Sequence, residues 1–279
     1  MQVYSKRNTS VQLTKSLFGR EKVIIAVVQS KPLPGSPDYN DESMDDIYTF
    51  AVEEAKRYSI GGVHAIIVEN HGDIPFLKPN DIGYETPAFM SIIAKLVADV
   101  TSLPIGINVL ANGALPAMAI AKASNAKFIR VNQWANAYIA NEGLIEGEAA
   151  KVSRYRSWIG AKDVKVFADV HVKHGAHAIV ADRSIEELTK DAEFFGADAV
   201  IATGQRTGDT ATYEELEIIK NSTSLPVFVG SGVNKDNVAE ILSIADGVII
   251  SSSLKKEGVW WNEVDTTRLD DFMKAVRFK

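Results

Sequence analysis

Eight short apolar runs, spaced along almost the whole of a 279-residue chain, constrain its fold more than any other feature. They are KVIIAVVQ (22–29), VHAIIVEN (63–70), PIGINVL (104–110), KFIRVNQ (127–133), VKVFADV (164–170), AVIATG (199–204), PVFVGSG (226–232) and GVIISSS (247–253). Each is too apolar for a half-exposed strand, as expected of a parallel sheet covered on both faces. Between them lie stretches with helix-start chemistry. Ser43 with Asp46, Ser184 with Glu187 and Thr212 with Glu215 have capping-box spacing ahead of apolar periodic segments. Thr86 and Pro87 read as an N-cap and first helical residue. Asn234 reads as the cap of a helix whose stripe is Val238, Ile241 and Leu242.

A finer repeat supports the same architecture. SLPIGI (102–107) is echoed by SLPVFV (224–229), and GGVHAII, GADAVIA and IADGVII each run from a helix end straight into a strand. Repeated βαβ units, eight strands in all, close naturally into a single (β/α)₈ TIM barrel of α/β class. An open doubly wound sheet is the alternative. It would more often carry G-x-G-x-x-G after its first strand, where this chain has QSKPLPGSPDY (29–39). Residues 1–21 are expected to be a polar lead-in that covers the barrel floor, and residues 22–279 the barrel domain.

Composition narrows the function classes. A net charge of −6 gives no basic footprint, so no nucleic-acid partner is expected. The absence of cysteine excludes disulfides, thiolate zinc sites and cysteine nucleophiles, and it fits a reducing compartment. The opening MQVYSKRNTSVQLTK has no apolar core, and the longest apolar run, VIIAVV (23–28), is too short to span a bilayer. A cytoplasmic protein is expected, with room for a peripheral membrane association.

In such barrels chemistry sits at the C-terminal ends of the strands. Reading those ends in order gives Lys31 after the first run; Glu69, Asn70 and His71 after the second; Asn108; Arg130 and Asn132; and then Asp169, His171 and Lys173, spaced by two and expected on one strand face. Gly204 ends the sixth. The loops after strands seven and eight, where these barrels frequently bind phosphate, hold Gly230, Ser231 and Gly232, and Ser251, Ser252 and Ser253. Glycines, a helix start and neighbouring hydroxyls suit an anion, although the same residues also suit tight strand–helix turns.

Asp169, His171 and Glu69 are the candidate catalytic residues. Three readings stay open: an acid–base pair of Asp169 and His171, a divalent metal held by them with Glu69 as third ligand, or a buried network closing the barrel top. No cofactor is predicted. Lys31, Asn70, Asn108, Asn132, Lys173 and Gly204 are candidate substrate contacts. Lys173 suits a substrate anion, or a Schiff base if burial depresses its pKa. His64, at a strand start, reads as structural. Trp260 and Trp261 read as packing or a subunit contact, in an expected homo-oligomer, with stacking on a base or sugar as the alternative.

KPLPGSPDY (31–39), GGVHAIIVENHGDIPF (61–76), FADVHVKHGAH (167–177), TGQRTGD (203–209) and ISSSLKKEGVWWNEVD (250–265) together resemble the BtpA/SgcQ family over nearly the whole chain from about residue 22. The resemblance implies a TIM barrel related to the ribulose-phosphate-binding barrels, with one branch named for photosystem I biogenesis and another associated with sugar metabolism as a predicted enzyme. Gln29 and Ser251 depart from the family pattern, which often has His and Gly there. Three function classes follow. They are an acid–base enzyme (isomerase, epimerase or lyase type) acting on a small phosphorylated sugar or nucleotide-like metabolite, a nucleoside or N-glycoside processing enzyme, and a non-catalytic biogenesis factor for a membrane complex.

Overall fold

All seven residues of the first strand are buried, and their side chains divide between two apolar clusters. Val23, Ile25 and Val27 point one way, into a cluster with Ile67, Phe128, Phe167, Ile201, Phe228 and Ile249. Ile24, Ala26 and Val28 point the other way, into a larger cluster shared with the helices. Alternation within an uninterrupted apolar run is what a strand covered on both faces requires. The smaller cluster is therefore the barrel interior and the larger one the layer between barrel and helices.

The computed structural model describes residues 2–204 and 211–276. Its elements alternate as β1 (Val23–Gln29), α2 (Met44–Gly61), β2 (Ala65–Glu69), α3 (Glu85–Val100), β3 (Ile105–Asn108), α4 (Ala114–Ser124), β4 (Phe128–Val131), α5 (Ala149–Trp158), β7 (Lys165–Val170), α6 (Ile185–Phe194), β8 (Ala199–Ala202), α7 (Tyr213–Ser222), β9 (Val227–Val229), α8 (Val238–Ile244), β10 (Gly247–Ile250) and α9 (Thr266–Val276). The strands close in the order β1-β10-β9-β8-β7-β4-β3-β2, parallel throughout. All eight apolar runs are barrel strands. Helix α1 (Gln2–Phe18) precedes them. Its Phe18 stands edge-on to Phe128, Phe167 and Phe228 at 5.8, 6.2 and 6.4 Å, filling the barrel interior from below.

The helix starts at Ser43, Ser184 and Thr212 are as the spacing predicts, each hydroxyl accepting from the N–H three residues on, with a full reciprocal box at Ser184 and Glu187. Two starts differ. Helix α3 begins at Glu85, so Thr86 lies inside it. Helix α8 begins at Val238 behind Asn237, while the Asn234 side chain accepts from the N–H groups of Asp236 and Asn237 in the preceding turn. A further hairpin, β5 (Ala137–Ala140) with β6 (Gly143–Glu146), follows β4. Its Tyr138 and Ile145 bury against Val172, and Ile139 pairs with Ala176, so it braces the segment beyond β7.

His64 is structural, as its position suggests. Its Nδ1 accepts from the Ile24 N–H at 3.0 Å. Burial, reinforced by the Arg20 charge, pushes its pKa down to about 4.

Candidate active site

Two residues beyond the apolar interior layer, every barrel strand presents a polar side chain or a glycine. Strand alternation carries the inward face from Val27, Ile67, Phe128, Phe167, Ile201, Phe228 and Ile249 to Gln29, Glu69, Arg130, Asp169, Thr203, Gly230 and Ser251. Asn108 completes the ring, since the register places Gln29 beside Glu69, Glu69 beside Asn108 and Asn108 beside Arg130. Gln29, Glu69, Asn108, Arg130, Asp169 and Thr203 are all buried. Buried polar groups are costly unless hydrogen-bonded, so the partners within this layer define the site.

Two networks account for most of it. In the first, Ser251 Oγ donates to Gln29 Oε1 at 2.7 Å, Asn108 Nδ2 donates to Glu69 Oε2 at 2.6 Å, and Glu69 Oε1 meets His71 Nδ1 at 3.0 Å. In the second, Arg130 grips Asp169 through Nε–Oδ1 and Nη2–Oδ2 contacts of 3.0 and 2.9 Å, and Asn132 Nδ2 donates to Asp169 Oδ2 at 3.2 Å. Burial alone would raise the Glu69 carboxyl. The His71 hydrogen bond and charge, with Arg130 and Asn108, outweigh it and hold the pKa at about 2.

The expected Asp169–His171 pair does not form. Strand β7 ends at Val170, and His171 takes a positive φ of 54°, which breaks the alternation that would have put both on one face. The His171 ring turns to His177 at 4.1 Å, and its Nδ1 lies 3.8 Å from Glu215 Oε1. Asp169 is committed to Arg130 and Asn132. The carboxylate–imidazole pair of this mouth is instead Glu69 with His71, two residues apart at the end of β2. The sequence shows His71 as a strand-end residue but not its pairing, which arises because a single-turn 3₁₀ segment (His71–Asp73) folds it back onto Glu69. Glu69, Asp169 and His171 do not converge as one ligand set, and among the described residues no group of three or more His, Asp or Glu side chains is arranged to hold a metal.

The remaining candidates divide. Lys173 sits over the mouth with its backbone N–H donated to Thr203 Oγ1, and its ammonium has no hydrogen-bond or ion-pair partner among the described residues. Burial, then the Arg130 charge, push its pKa down against the pull of Glu69 and Asp169. Asn108 and Asn132 each keep a buried amide oxygen without a partner among the described residues. Asn70 is the correction among the substrate contacts. Its amide is spent on Asp73 and on the Leu110 backbone, where it pins the loop after β3. Lys31 pairs with Glu42 and lies over the Phe50 ring at 5.3 Å, to one side of the mouth. Gly204 lies two residues beyond the end of β8, and residues 205–209 of TGQRTGD lie outside the described residues.

The two candidate phosphate loops are neighbours. Ser253 Oγ donates to the Val233 carbonyl at 2.8 Å, tying them together, and Asn237 Nδ2 holds the Gly232 carbonyl at 3.0 Å. Gly232 has a φ of +65°, a conformation that disfavours a side chain. At Gly230 a Cβ would come within 2.7 Å of Ile201 and 3.3 Å of Arg130 Nη2, so glycine leaves the guanidinium its room. Ser251 is already engaged with Gln29. Beside the mouth opens a cavity of about 400 Å³, whose lining includes Gln29, Lys31, Phe50, Trp260 and Trp261.

Fold and site together define a TIM-barrel protein with a polar mouth at the C-terminal ends of its strands. The chain belongs to the BtpA family, whose model matches residues 20–278. It is 43% identical over 257 residues to an uncharacterized protein of Archaeoglobus fulgidus, covering 92% of this chain and 99% of that one. It is 36% identical over 260 residues to the photosystem I biogenesis protein BtpA of Synechocystis, covering 93% and 89%. Among solved structures it is similar to phosphoribosylanthranilate isomerase of Pyrococcus furiosus, with a TM-score of 0.55, 14% identity and coverage of 92% and 98%. Orotidine 5′-monophosphate decarboxylase of Methanocaldococcus jannaschii aligns with a TM-score of 0.54, 18% identity and coverage of 92% and 99%. These last likenesses are of fold. Among the described residues no helix is long and apolar enough to cross a membrane.

Proposed function

We propose that this chain is an enzyme acting on a small phosphorylated metabolite by proton transfer at the barrel mouth, in chemistry of isomerase, epimerase or lyase type. One observation carries the reading. At the buried polar layer two amide oxygens, on Asn108 and Asn132, and above it the half-buried ammonium of Lys173, have no hydrogen-bond or ion-pair partner among the described residues. Unsatisfied buried groups are destabilising, and a ligand bearing an anion and hydroxyls would complete them. Phosphate is assigned to the loops at 230–234 and 251–253, with Lys173 as the facing charge.

The Glu69–His71 pair supplies the acid–base component. An ionised carboxylate on Nδ1 fixes the tautomer and orientation of the ring, leaving Nε2 to exchange a proton with substrate. Arg130, held by Asp169, keeps a positive field at the centre of the mouth for charge developing on substrate. The ligand-sized cavity alongside favours an enzyme over a purely non-catalytic biogenesis factor, the role named in the Synechocystis relative.

Thermal-shift titration tests the reading. Sugar phosphates should raise Tm where the matching free sugars do not, and Gly232→Val should abolish the shift. Equal shifts with free sugars would contradict it.

A further inference from the structure

We propose that the cavity beside the mouth seats a planar heteroaromatic ring, nucleobase-like, carried by the same phosphorylated substrate. The inference rests on the phosphorylated-metabolite reading above and narrows it to a nucleotide-like class.

The cavity shares one wall residue with the mouth. Gln29 lines it, accepts from Ser251 of the phosphate loops, and sends its Nε2 toward Glu69 Oε1 at 3.5 Å. Trp260 joins them a second time, its ring standing edge-on to His71 with centroids 4.4 Å apart. A ligand with its phosphate at Ser251 and its reacting centre over Glu69 and His71 would place its remaining part beside Gln29 and Trp260, the two residues that border this space.

The lining matches a ring rather than more sugar. Trp260, Trp261 and Phe50 give aromatic walls, and Trp260 and Trp261 stand perpendicular at 86° with centroids 5.3 Å apart. A flat π-system gains stacking and area burial over its whole face against such walls, whereas a sugar phosphate stacks only through the C–H face of its ring and gains less. Asp38 and the Gln29 amide add an acceptor and a donor for the edge of a heterocycle. At about 400 Å³ the cavity falls in the range of small-ligand sites.

The test is a binding comparison on the full chain, by calorimetry and tryptophan fluorescence. The probes are AMP, GMP, CMP and UMP, their nucleosides, and ribose 5-phosphate. At least one nucleotide should bind tenfold or more tighter than ribose 5-phosphate. Trp260→Ala should erase that advantage while leaving ribose 5-phosphate affinity unchanged, and Trp260→Phe should retain most of it. The proposal is overturned if no nucleotide exceeds ribose 5-phosphate, or if Trp260→Ala lowers both equally. It is also overturned if Trp260→Ala changes only the sedimentation behaviour, which would make this face a contact between copies. A nucleoside that binds as tightly as its nucleotide, with ribose 5-phosphate silent, would uphold the ring site and reject the phosphate assignment. Ribose 5-phosphate binding without a nucleotide advantage would do the reverse.

Discussion

Arg130 and Asp169 meet fork to fork, Nε to Oδ1 at 3.0 Å and Nη2 to Oδ2 at 2.9 Å, with both side chains almost wholly buried. A bidentate pair of this kind fixes both partners, and the guanidinium cannot shed its charge. Asp169 is therefore a positioning residue for Arg130. Removing it leaves a buried cation, so Asp169→Ala should cost about 3–5 kcal/mol of stability in urea denaturation. A loss under about 1 kcal/mol would show that the pair is not held as described.

A second buried ion pair lies outside the mouth. Lys255 Nζ bonds Glu54 Oε2, both side chains fully buried, and Glu54 Oε1 accepts from the Val264 N–H at 2.9 Å. This ties α2 to the segment after β10 that carries Trp260. Lys255→Met should destabilise by about 3–5 kcal/mol, and adding Glu54→Leu should recover most of that loss. A double variant no better than the single one would contradict the pairing.

Acid sensitivity follows from two depressed pKa values. Glu69 is held at about 2 against an ordinary 4.5, so its contribution is fully present above pH 4.5 and is lost as pH falls toward 2. Glu69→Gln should shrink the stability difference between pH 7 and pH 3 by about 2 kcal/mol. His64, lowered from 6.5 to about 4, adds a loss in the same direction as pH falls from 6.5 to 4, because the unfolded chain takes up the proton first. Replacing His64 should flatten that interval. An unchanged pH profile in both variants would refute the assignments.

Kinetics separates the two histidines. With a turned-over substrate, Glu69→Gln and His71→Asn should each lower kcat by about 10²–10⁴-fold. His171→Ala should leave kcat within a factor of a few, since its ring faces His177 and Glu215. The opposite ranking would return the chemistry to β7.

The barrel was legible in the sequence because its strands, covered on both faces, are uninterrupted apolar runs whose inward and outward residues are equally hydrophobic. The hairpin β5–β6 was not. Its turn at Asn141 and Glu142 lacks the Asn-Gly or Asp-Gly signal, and its strands are only partly buried. Glu69, Asn108 and Asp169 could be placed in the mouth because spacing by two holds within a strand. It fails one residue past the end, where the positive φ of His171 and the tight turn at His71 decide which imidazole meets a carboxylate. Lys255, next to Lys256 and Glu257 in the sequence, is fully buried against Glu54, a partner 201 positions away that its local sequence does not reveal.

The most direct measurement of the central claim is a crystal structure of the protein soaked with ribose 5-phosphate. The account predicts density for the phosphoryl group between residues 230–234 and 251–253, within reach of Lys173, and for the sugar beside Asn108 and His71. Phosphate bound elsewhere on the molecule, with the mouth empty at saturating ligand, would contradict it.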